Sequence, residues 1–113
     1  MEESILTSIK KLAGMDSDYD PFDTDLIIFI NSVFSALAQL GVGPSSGFSI
    51  DDDTAVWSEF IEDPVQLGFV KTYIYLKVRL VFDPPDNSTV IKSYEDQIKQ
   101  LEWRLNVAAE TPS

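Results

Sequence analysis

The sequence predicts an all-α fold: a small bundle of four to five helices in a single domain spanning residues 1–113, with one long loop and a short extended segment around residues 47–50. Three observations carry this prediction. Apolar residues recur at helical spacing from Leu26 to Leu40 and again from Ile91 to Ala108. Breakers with distinct stop and start chemistry separate these stretches. With 44% hydrophobic and 12% aromatic residues in 113 positions, the chain can bury one core and has little room for a second.

Taken in order, residues 4–13 place Ile5, Ile9 and Leu12 on one face of a short helix that Gly14 stops. Met15 to Asp25 is an acidic turn containing Asp20-Pro21. Phe22 then precedes a cap at Asp23 or Thr24 and is placed to staple the next helix. That helix runs over 25–40, with Leu26, Ile30, Val33, Leu37 and Leu40 spaced four, three, four and three. Ile27, Phe34 and Ala38 widen the stripe, and Gly41 closes it.

Two glycines and a proline make 42–50 a loop, in which Phe48 to Ile50 is the extended piece. Asp53 or Thr54 then caps a short helix bearing Val56, Trp57, Phe60 and Ile61. Asp63-Pro64 reads as the cap and first residue of the following element. From 69 to 82 two periods compete. Ile74, Leu76, Val78, Leu80 and Phe82 alternate as in a strand, whereas Phe69, Val70, Tyr73, Ile74, Leu80 and Val81 line one helical face. Asp83-Pro84-Pro85 ends the element under either period. Last, Ser88 caps a helix whose seam is Ile91, Tyr94, Ile98, Leu101, Leu105 and Ala108, with a Glu95–Lys99 pair on its solvated side.

Charge and chemistry narrow the function. The net charge is −11, from 19 acids and 8 bases, which argues against gripping nucleic acid, since that takes clustered Lys and Arg. The acids are uneven: residues 1–53 hold 10 against only Lys10 and Lys11. With no cysteine and no histidine, the chain lacks thiolate chemistry, the commonest general base and the commonest metal ligand. Met-Glu-Glu-Ser shows no secretion signal, and no apolar run is long enough to span a membrane, so synthesis in a reducing cytoplasm is expected. Asp51-Asp52-Asp53 lacks the spacing of a calcium loop, and Pro21 and Phe22 interrupt the one begun by Asp16, Asp18 and Asp20. Glu59 and Glu62 have nothing to place them in a pocket. No catalytic residue, metal site or cofactor is expected.

The run Val70 to Pro85 (VKTYIYLKVRLVFDPP), followed by Tyr94 to Leu105 (YEDQIKQLEWRL), resembles tailed-phage head–tail connector proteins. These are small adaptor or head-completion proteins that dock beneath the portal. The resemblance is close from Trp57 to Leu105 and looser up to residue 41, and 42–53 has least to match. It implies a helix over 64–82. It also implies a structural, non-enzymatic subunit of the virion at the head–tail junction, made in the host cytoplasm. Its partners would be copies of itself in a ring of about twelve or thirteen, the portal, and a tail-side connector protein. In such a ring the subunit charges sum around the lumen, so an acidic wall would repel passing DNA without binding it specifically.

Either the 15–24 turn, with Asp20 and Phe22, or the 42–50 loop, with Phe48 and Ile50, would reach a neighbouring subunit. Trp57 and Trp103 are read first as covers of their own core and second as interface anchors. Arg79 and Arg104 are expected to pair with acids of the same or the next subunit. The alternative reading from charge and size is an acidic DNA mimic that inhibits a host nuclease or regulator.

Overall fold

A computed structural model describes residues 4–16, 21–44 and 46–110, the side chain of Glu110 excepted. Four α-helices follow one another: α1 (Ile5–Leu12), α2 (Asp23–Gln39), α3 (Pro64–Phe82) and α4 (Ser88–Glu110). A single 3₁₀ turn at Trp57–Glu59 takes the place of the fifth helix. The described residues form no strand. Their sole β-bridge joins Ser4 to Val56.

The competition at 69–82 resolves as helix because the start and stop signals act on the whole segment. The Asp63 carboxylate accepts from the Val65 amide, and Pro64 occupies the first helical position, where its missing N–H costs nothing. The helix then continues through both apolar sets and breaks at Asp83 before the two prolines. Val70, Tyr73, Ile74, Leu76 and Val78 are all buried. This near-continuous burial makes α3 the central helix, with α1, α2 and α4 packed around it, and explains why its apolar residues fit two periods at once.

Several local expectations shift by a residue or a partner. Asn87, not Ser88, caps α4: its side chain accepts from the Thr89 amide and its carbonyl from that of Ile91. The α4 seam holds as read, with Ile98, Leu101 and Leu105 buried and Ile91, Tyr94 and Ala108 half-buried. The ion pair formed on its solvated side is Lys92–Asp96 at 3.6 Å.

Neither Asp23 nor Thr24 caps α2. Phe22 itself stands at the cap position, where no side-chain hydrogen bond caps the helix. Asp23 is the first helical residue, and its carboxylate takes the Lys10 ammonium of α1 at 2.8 Å. Lys10 is pulled inward in this way (2% exposed), and the buried stripe of α1 centres on Ile5, Leu6, Ile9 and Ala13. That rotation leaves Leu12 45% exposed.

The long loop is held by unusual anchors. Segment 47–50 joins no ladder among the described residues. Instead the Asn31 side chain donates to the Ile50 carbonyl (2.9 Å) and accepts from its amide (2.7 Å), imitating a strand partner from the middle of α2. Phe34, Phe48 and Phe60 form a ring cluster with centroids 4.7–5.3 Å apart. Gly43 has φ +89°, and a β-carbon there would overlap the Phe60 ring, so this turn requires glycine. The short helix expected after Asp53 or Thr54 is only the 3₁₀ turn. The Asp52 carboxylate binds the amide and hydroxyl of Thr54, and Glu59 closes the turn by accepting from the Val56 amide.

Candidate assembly surfaces

Where the side chains point decides what each region of the surface can do. Trp57 is 2% exposed, and its indole N–H donates to the Ser8 hydroxyl at 2.8 Å; that hydroxyl in turn donates to the Ile5 carbonyl. The tryptophan thus ties the 3₁₀ turn to α1. Ile50 is equally buried, and Phe48 is half-buried against Phe34 and Phe60. These three candidates hold the loop to its own domain, and Trp57 and Ile50 offer no surface to a partner. Phe22 is 46% exposed beside α2. Asp20 lies outside the described residues.

Trp103 is placed quite differently, against the expectation that it covers its own core. It sits on α4 opposite the Ile98–Leu101–Leu105 seam and is 68% exposed. With Lys99, Gln100 and Arg104 it lines a shallow concavity of about 400 Å³. Val107, one turn on, is also exposed. The Arg104 guanidinium leans over the Phe69 ring of α3, 5.9 Å from its centroid. Arg79 takes a partner within its own subunit, bonding the Tyr75 hydroxyl and the carbonyl of Asp83.

Two further regions frame this patch. Leu12, Gly68, Lys71, Thr72 and Tyr75 line a second, mostly apolar groove between α1 and α3. The acids gather elsewhere. Residues 1–63 carry 13 acids and only Lys10 and Lys11, whereas 64–113 carry six of each sign, so the whole net charge of −11 belongs to the front of the chain. Asp51, Asp52 and Asp53 follow one another, all exposed, on the loop that α1 and α2 anchor. The bonds from Thr54 hold the Asp52 carboxyl below the usual carboxylate range, so it stays charged.

Among the described residues no three acids converge as a metal site would require, and no helix is long and apolar enough to cross a membrane. The one strongly displaced titration is that of Tyr73, whose hydroxyl is buried and donates to Glu102 at 2.7 Å. Burial first, then the hydrogen bond to Glu102 and last its charge push the pKa up. This clamp between α3 and α4 is a packing feature.

A family model for phage connector proteins matches residues 5–112, from the first residue of α1 to beyond α4. The chain belongs to the phage connector protein family. No curated protein and no solved structure matches it. As a connector protein it is a structural component of a phage that assembles with other head and tail proteins.

Trp103, read first as a cover of its own core, is exposed, and Arg104, expected to pair with an acid, leans over Phe69. The signal that separates Trp103 from Trp57 was present. Trp103 falls about half a helical turn from the seam, whereas Trp57 follows a turn in a segment whose period is too short to read. The groove at Leu12 was missed, because it needs residues of α1 and α3 that only the fold brings together.

Proposed function

We propose that this connector protein is one subunit of a ring, of about twelve or thirteen copies, that docks beneath the portal and joins it to a tail-side connector protein at the head–tail junction. The family match across all four helices carries this reading. Two features of the surface support it. Subunits that close head to tail need two different patches, one for each neighbour, and this subunit has distinct exposed patches on α4 and on the α1/α3 side. An acidic front half also suits a channel wall that lets a duplex pass without adhering.

The test is the mass of the purified protein by light scattering, alone and mixed with purified portal or portal-bearing capsids. A ring in solution, or a stoichiometric collar retained on the portal, is the expected result. A monomer that ignores portals under every condition would overturn the reading.

A further inference from the structure

We infer that the outer face of α4 around Trp103 docks on the Asp51–Asp53 loop of a second copy of this chain. The inference rests on the ring reading and names the surfaces that would meet in it.

It starts from the charges left on α4. Lys92 is engaged with Asp96, and Glu102 is turned to Tyr73. Beside the indole stand Lys99, with Glu95 one turn before it, and Arg104, which leans over Phe69 yet stays exposed and so can still meet a carboxylate. The face around Trp103 therefore combines a large aromatic surface with two cations. Tryptophan and arginine are the residue types that most often anchor interfaces. In a chain of net charge −11, such a face is complementary to the rest of the molecule.

The complementary surface is on a different segment of the chain. The loop bearing Asp51, Asp52 and Asp53 is fastened to α2 through Ile50 and Asn31, and to α1 through Val56 and Ser4. Both helices pack on α3, and the outer face of α4 turns away from α3. A subunit thus presents an aromatic face with two cations on α4 and a triple carboxylate on a loop held by α1 and α2. No ion pair joins these groups within the described residues of one copy, and a head-to-tail neighbour can bring them together. That geometry propagates around a ring, whereas two like faces meeting across a two-fold would set cation against cation. The same charges keep the contact open to salt, because both surfaces are solvated before they meet.

The experiment uses full-length chains, half of them uniformly labelled with heavy nitrogen, mixed under the conditions where light scattering shows the ring, with portal added if the ring needs it. A carbodiimide joins amine to carboxylate at contact distance. The expected product is a mixed-isotope peptide pair linking Lys99 to Asp51, Asp52 or Asp53. In parallel, Lys99→Glu with Arg104→Glu should lower the assembled fraction at least tenfold, as should Asp51→Lys with Asp53→Lys. The chain bearing all four reversals should recover assembly. All four positions are exposed and Asp52 keeps its bond to Thr54, so circular dichroism should show every variant folded. Wild-type rings that give no such cross-link, or that tolerate the reversals, would overturn this contact and leave the ring standing. Folded four-site reversals that fail to recover would also overturn it. A wild-type chain that never assembles, with or without portal, would overturn the ring reading and this contact with it.

Discussion

Trp57 lies within the acidic front half of the chain and Trp103 on the neutral α3–α4 hairpin, and these regions keep their shapes by different means. The hairpin is held by repetition. Apolar side chains recur along both helices, and a single polar clamp, Tyr73 to Glu102, is added to the seam. The front half is held by unrepeated contacts, each joining segments far apart in sequence. Trp57 reaches Ser8, Asn31 holds Ile50, and Lys10 meets Asp23. Repetition distributes stability, so no single residue of the hairpin surface is decisive. Unrepeated contacts concentrate it.

The comparison is broken most directly at Trp57. Trp57→Ala removes a fully buried indole and the partner of a buried hydroxyl, and should cost about 3–5 kcal/mol, read as a lowered urea midpoint. A loss below about 1 kcal/mol would mean that the front half is not held as described. Next in size is Asn31→Ala, which leaves the buried Ile50 amide and carbonyl without their partner. About 2–3 kcal/mol is expected, with faster amide exchange confined to 42–55. Asp23→Ala strips the buried Lys10 ammonium of its carboxylate. Because Asp23 is itself partly exposed, the loss should be smaller, about 1–2 kcal/mol, and the junction of α1 with α2 should loosen first.

These contacts also mark where the sequence stops being legible. The α4 seam and the Asp63-Pro64 start of α3 are local signals, and both are present in the fold as read. The segment 69–82 was ambiguous because a helix buried on most of its circumference satisfies the strand period as well. Asn31 carries no sign in the sequence that it will act as a strand edge for Ile50, nineteen residues away. Nor does the sequence mark Lys10 as the partner of Asp23, thirteen residues on. Among the interface candidates, Trp103 was separable from its seam by counting. Trp57, Phe48 and Ile50 depended on a loop path that no period encodes.

On the hairpin the effects should be milder and, at Tyr73, dependent on pH. Tyr73→Phe loses the bond to Glu102 and should cost about 1 kcal/mol at neutral pH. The folded state holds this phenol's pKa above its ordinary value near 10. The stabilising contribution is therefore complete below about pH 10 and is lost as pH rises through the folded-state value, because the unfolded chain ionises first. Wild type and variant should converge in stability as pH climbs above 10, followed by urea titrations at each pH. A gap that widened there would contradict the clamp.

Trp103→Ala should have the smallest effect on the folded subunit and so sharpens the comparison most. Its indole is outside the core, opposite the seam, and its removal leaves no cavity and no buried polar group. Stability should stay within about 0.5 kcal/mol of wild type, and a small gain would be unsurprising because the unfolded chain also loses an apolar group. The same substitution should weaken assembly, because a desolvated tryptophan at an interface centre commonly contributes 2 kcal/mol or more, about thirtyfold in affinity. The two tryptophans then exchange roles between assays: Trp57 decides whether the subunit folds, and Trp103 whether folded subunits join. A Trp103→Ala chain that unfolds as readily as Trp57→Ala would show that the outer face of α4 belongs to the core after all.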